Sequence, residues 1–75
     1  MVVDIKKLKD KIEQNKFSKE SFSKEIGIDQ STLYRKLKNN GDTFMIREVY
    51  AIIDTLKLNE LEVTQIFFSK NSRLR

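Results

Sequence analysis

SKESFSKEIGIDQSTLYRKL, residues 18–37, contains two short apolar-periodic runs separated by three residues. Phe22 and Ile26 lie four apart in the first run, and Leu33 and Leu37 four apart in the second, so each run presents one apolar face as a helix. Between them stand Gly27, Ile28 and Asp29. Gly27 can take a positive φ and close the first helix, while Asp29 is a residue type that opens the next. Ile28 is left to plug the gap between the two helices. Ser23 falls where they cross, and only a small side chain there lets them meet at a steep angle.

Outward from this stretch, the helix starts follow one pattern. A hydrophobic residue before an N-cap often packs on the fourth helical residue and fixes how the chain approaches the helix. Val3-Asp4 precedes Leu8, Phe17-Ser18 precedes Phe22, Ile28-Asp29 precedes Leu33, and Leu58-Asn59 precedes Val63 with Glu62 completing a capping box. Phe44-Met45 before Val49 keeps the spacing and the glutamate, Glu48, but has no capping side chain unless Thr43 or Asp42 serves. Five helices are predicted, over about 5–15, 19–26, 30–38, 46–56 and 60–69. Their core faces are Ile5, Leu8 and Ile12; Phe22 and Ile26; Leu33 and Leu37; Val49, Ile52, Ile53 and Leu56; and Leu61 with the run Ile66-Phe67-Phe68. The expectation is an all-α domain over residues 1–70, with Asn71–Arg75 a flexible basic tail.

Composition narrows the function. The 75 residues suffice for one domain, and no proline and only two glycines leave strands and hairpins little support. Without cysteine or histidine there are no disulfides and no zinc finger, and the commonest acid–base and metal sites are missing. No metal, cofactor or small-molecule ligand is expected, nor an enzyme. No apolar run approaches the roughly 20 residues of a membrane span and no signal pattern opens the sequence, so a soluble cytoplasmic protein is expected. The net charge of +4 is concentrated in residues 1–41, where ten Lys/Arg face six acids; residues 42–75 carry five of each. A polyanion is the partner such an imbalance suits. The lysines of the first helix read as a solvated face.

Two short helices joined by a tight glycine-containing turn form a helix-turn-helix. Through KESFSKEIGIDQSTLYRKL the chain resembles the Cro/repressor (XRE-like) family of phage and bacterial regulators, with Ser23, Gly27, Ile28 and Leu33 carrying the likeness. FMIREVYAIIDTLKLNELEVTQIFF is similar to the last two helices of short phage regulators of this type. The resemblance implies a compact five-helix, lambda-repressor-like fold and a transcriptional regulator that binds a palindromic double-stranded DNA operator as a homodimer. The chain departs from the family pattern in three places. Ser23 stands where alanine is frequent, Lys36 where an aliphatic residue is frequent, and Met45 where threonine often opens the fourth helix.

With Leu33 and Leu37 inward, the open face of the third helix carries Gln30, Ser31, Tyr34, Arg35 and Lys38, flanked by Thr32 and Lys36. In a helix-turn-helix the start of this helix meets base edges. Gln30 suits adenine N6/N7 and Arg35 guanine O6/N7, Ser31 and Thr32 are short adaptable contacts, and Tyr34 can stack or bond a phosphate. Phosphate contacts are expected from Ser18 and Lys19 at the start of the second helix, and from Lys36, Lys38, Asn39 and Asn40. For Ile66, Phe67 and Phe68 two readings stand: all core, or at least one projecting outward as a dimer interface. The alternative function is a protein-binding module, an antitoxin or anti-repressor, that uses the fold without reading bases.

Overall fold

Each helix begins and ends on a recognisable chemical signal. The computed structural model describes residues 3–68, which form α1 (Ile5–Gln14), α2 (Lys19–Ile26), α3 (Gln30–Lys38), α4 (Ile46–Leu56) and α5 (Glu60–Phe67). Asp4, Ser18 and Asn59 cap α1, α2 and α5 through their side chains, which accept from the N–H groups of Lys7, Ser21 and Glu62. Such a cap satisfies a donor that the helix cannot, and is worth about 1 kcal/mol. Asp29 stands at the N-cap of α3, but its side chain makes no capping bond; its carbonyl accepts from Leu33 N–H at 2.9 Å. Met45, rather than Thr43 or Asp42, is the N-cap of α4, and Glu48 reaches back to its N–H at 2.9 Å.

The four helix endings α1 to α4 share one device. After each, a residue turns left-handed: Lys16 (φ 64°), Gly27 (φ 80°), Asn40 (φ 60°) and Lys57 (φ 54°). The next residue then donates its N–H five residues back, Phe17 to Ile12, Ile28 to Ser23, Gly41 to Lys36 and Leu58 to Ile53, at 2.8–3.1 Å. This double closure satisfies the last carbonyls of the helix. Phe17, Ile28 and Leu58 therefore end one helix and staple the start of the next; the Phe17 and Phe22 rings lie 5.7 Å apart, tilted. Glycine was expected in the left-handed sites, yet three of the four hold lysine or asparagine. Gly41 also has positive φ (75°), and a Cβ there would come within 2.6 Å of Val3.

Val3, Leu8, Ile12, Phe22, Ile26, Leu33, Leu37, Phe44, Ile52, Leu56, Leu58, Ile66 and Phe67 form a single core. Through it α2 packs on α3 and α4, and α1 on α5. The N-terminal stretch is pinned to α5 by Asp4 N–H donating to the Ile66 carbonyl at 2.7 Å, and by the Lys11–Glu62 ion pair. Lys11 and the Asn59 N–H together hold the Glu62 carboxyl below its ordinary pKa.

In the fifth helix the two readings of Ile66-Phe67-Phe68 divide by residue, and the expectations for Leu61 and for the helix end are corrected. Ile66 and Phe67 are 1% and 0% exposed in the core, so neither can serve a dimer interface without opening it. Leu61, expected inside, is 65% exposed, because the buried stripe of α5 runs through Ile66 and Phe67. The helix stops at Phe67, since Phe68 has left helical geometry (φ −134°, ψ 33°), and α1 likewise stops one residue early, at Gln14. The expected tail Asn71–Arg75 lies outside the described residues.

Candidate nucleic-acid interface

The crossing of α2 and α3 sets the orientation of everything on α3. Ser23 is 2% exposed at that crossing, and its hydroxyl donates to the Glu20 carbonyl at 2.8 Å, so the small polar side chain is buried at little cost. Leu33 and Leu37 are buried as their spacing predicts. Nine residues of helix with two leucines inward leave one polar face outward.

On that face Gln30, Ser31, Tyr34, Arg35 and Lys38 are exposed, and Thr32 is half-buried beside them. The Arg35 guanidinium lies 3.5 Å from the Thr32 hydroxyl, a long contact that leaves its donors free. The Lys38 ammonium sits over the Tyr34 ring, 5.6 Å from its centre. Among the described residues neither Arg35 nor Lys38 is paired with a carboxylate, and the same holds for Lys19 on α2. Lys19, Tyr34 and Lys38 border a common cleft, so the starts of α2 and the end of α3 meet there. Ser18 is committed to Ser21: its hydroxyl accepts from Ser21 N–H, and Ser18 N–H donates back to the Ser21 hydroxyl, both at 3.0 Å. Asn39 and Asn40 are exposed in the turn after α3.

Lys36 is a correction. Its ammonium is turned inward, 2.8 Å from Glu48 Oε1 and 2.9 Å from the Thr43 carbonyl, and over the Phe44 ring at 5.9 Å. The side chains of the pair are 14% and 4% exposed. A cation so committed is not offered to a phosphate; it fastens α3 to the following loop and to α4. Burial pushes the Glu48 carboxyl up, but the Lys36 hydrogen bond, the Met45 N–H and the charges of Lys36 and Arg47 outweigh it, and the pKa is lowered. The stem of Lys36 fills the apolar position and the ammonium meets a carboxylate behind it. A charge standing at an aliphatic position was the one available signal of this pair.

Away from α3 in sequence, Phe68 is 62% exposed, and Ile46 and Tyr50 are 72% and 68% exposed. With Val49, Ile53 and Val63 they line an apolar groove of about 410 Å³ between α4 and α5. Of Ile66, Phe67 and Phe68, the candidates for an interface, Phe68 alone is on the surface.

Among the described residues no three His, Cys, Asp or Glu side chains gather to hold a metal, and no helix is long and apolar enough to cross a membrane. Residues 7–64 match the family model described as the Cro/C1-type HTH DNA-binding domain. No curated protein and no solved structure matches the chain.

Proposed function

The chain belongs to the Cro/C1-type helix-turn-helix DNA-binding family, and from that premise we propose that it is a sequence-specific transcriptional regulator of the repressor kind, binding a palindromic operator as a homodimer. It works in the cytoplasm of a bacterial or phage-infected cell and needs no cofactor. The observation that carries the reading is the polar face of α3, held open by the burial of Leu33 and Leu37. Gln30 and Arg35 read adenine and guanine edges, and Ser31 and Thr32 add short contacts. Tyr34 stacks or bonds a phosphate. Backbone contacts come from Lys19, Lys38, Asn39 and Asn40, whose donors position the protein without specifying sequence, while Ser18, its N–H and hydroxyl both turned to Ser21, caps α2 beside them.

Dimerisation through the Phe68 end is supported by exposed Ile46, Tyr50 and Phe68, which with half-buried Val49, Ile53 and Val63 line one apolar groove. Paired there, two copies set their reading helices in successive major grooves, about 34 Å apart.

Selection of bound sites from a random duplex pool tests the reading. A two-fold-related motif with half-sites about 10 base pairs apart is expected. No enriched motif, together with binding indifferent to salt, would sink it and favour a protein-binding module.

A further inference from the structure

Three helices bring lysines to one place. Lys9 of α1, Lys19 of α2 and Lys38 of α3 border a cleft of about 260 Å³ whose remaining walls are Tyr34 and Leu37. No carboxylate lines it. An adjoining recess of about 250 Å³ shares Lys9, Lys19 and Leu37, and there Glu13 is the one acid on the wall. Among the described residues none of the three ammonium groups has a carboxylate within ion-pair distance. Like charges gathered without a counterion repel one another, so the cleft is favourable to an anion and to little else.

The cleft opens beside the reading face, because Tyr34 and Lys38 belong to both. An anion seated there lies within a side chain of whatever α3 reads. Major-groove edges are flanked by phosphates, and a phosphate is the anion nearest to hand.

Resting on the reading of α3 as a DNA reader, we infer that Lys9 joins Lys19 and Lys38 as a three-helix clamp on one backbone phosphate of the bound duplex. The first helix, whose lysines read from the sequence as a solvated face, thereby becomes part of the DNA interface and fixes the angle at which α3 lies in the groove. Lys7 provides the contrast. It lies on the same helix but borders a different cleft, with Asp10 and Glu62 on its wall.

The test compares Lys9→Gln with the charge-matched Lys7→Gln in the full chain, by fluorescence anisotropy on a mixed-sequence duplex over a salt series. Both positions are exposed, and equal thermal midpoints would show that both variants fold. Loss of one phosphate contact makes the log–log salt slope shallower by about 0.9 and weakens binding about 5–10-fold near 0.1 M salt. That result is expected for Lys9→Gln, with less than about a twofold change for Lys7→Gln. Equal effects of the two substitutions overturn the clamp. If Arg35→Ala still alters base preference in that case, the clamp fails alone; if the unaltered protein binds no duplex, the DNA reading itself fails and takes the clamp with it. A second arm titrates inorganic phosphate at constant ionic strength and follows the backbone NMR signals of Lys9, Lys19 and Tyr34. No saturable shift is expected; saturation at millimolar phosphate would assign the cleft to a free anion instead.

Discussion

Replacing Lys36 by Met removes the ammonium, with its contact to the Phe44 ring, and keeps an apolar stem of similar length. The carboxylate of Glu48, 4% exposed, then retains the Met45 N–H at 2.9 Å and loses its only ion-pair partner among the described residues. Removing one member of a buried pair typically costs about 3–5 kcal/mol. The remaining hydrogen bond and the partial exposure of the pair at Lys36 bring the figure to about 2–3 kcal/mol near pH 7. For a domain of this size that is a fall in melting temperature of about 10–20 °C. The pH dependence follows from the two directions of shift. In the natural protein Glu48 titrates below its ordinary value, so its contribution is full above the unfolded pKa and is lost as pH falls. With Lys36 gone, burial is opposed only by the Met45 N–H and the Arg47 charge, so the pKa rises from its lowered value and ionised Glu48 contributes less to stability. The destabilisation should therefore be clearly smaller near pH 4 than near pH 7. Urea unfolding at the two pH values, followed by circular dichroism, reads both numbers. A loss below about 1 kcal/mol at neutral pH, or one unchanged in acid, would refute the reasoning. Adding Glu48→Leu to Lys36→Met should recover most of the stability, since an apolar pair of similar volume is often as stable as a buried ion pair.

Other substitutions probe the remaining parts. Arg35→Ala should weaken operator binding by about 1–3 kcal/mol and relax preference at one base position, measured by binding to a panel of single-base operator variants. Phe68→Ser should shift sedimentation toward monomer with the fold intact, whereas Phe67→Ser, at a fully buried site, should cost about 3–5 kcal/mol in chemical denaturation. Lys57→Gly relieves a left-handed lysine and should raise stability by about 0.5–1 kcal/mol, after the glycine's greater freedom in the unfolded chain is offset. Met45→Thr should add about 1 kcal/mol by supplying the missing side-chain cap; no gain in the thermal midpoint would mean that Glu48 already satisfies that turn.

How much could be read without coordinates depended on whether a feature was local. The inward turn of Leu33 and Leu37, the closure at Gly27 and the stapled starts at Val3, Phe17, Ile28 and Leu58 are short-range matters of spacing, and they stand as expected. Lys36 was misread because helical periodicity states which side a residue faces, not that a carboxylate twelve residues on waits behind an aliphatic stem. The run Ile66-Phe67-Phe68 was ambiguous for the same reason. Three consecutive apolar residues sweep most of a helical turn, and only tertiary packing decides that two go in and one stays out. Lys16 and Lys57 escaped notice as left-handed sites because glycine is the usual flag. The convergence of Lys9 with Lys19 and Lys38 joins three separate helices, and no pattern along the chain announces it.

The residues that serve two helices at once set a limit on how this chain can change length. Phe17, Ile28 and Leu58 each belong to a hinge with no slack, so one inserted residue would rotate the following helix by about 100° and pull its staple off the core. The connection from Asn39 to Phe44 is longer and carries no such double duty, since the residue closing α3 is Gly41 and the staple is Phe44. Length variation among functional descendants, natural or engineered, should therefore collect between α3 and α4, at positions that spare Gly41 and the Lys36 contact with the Thr43 carbonyl.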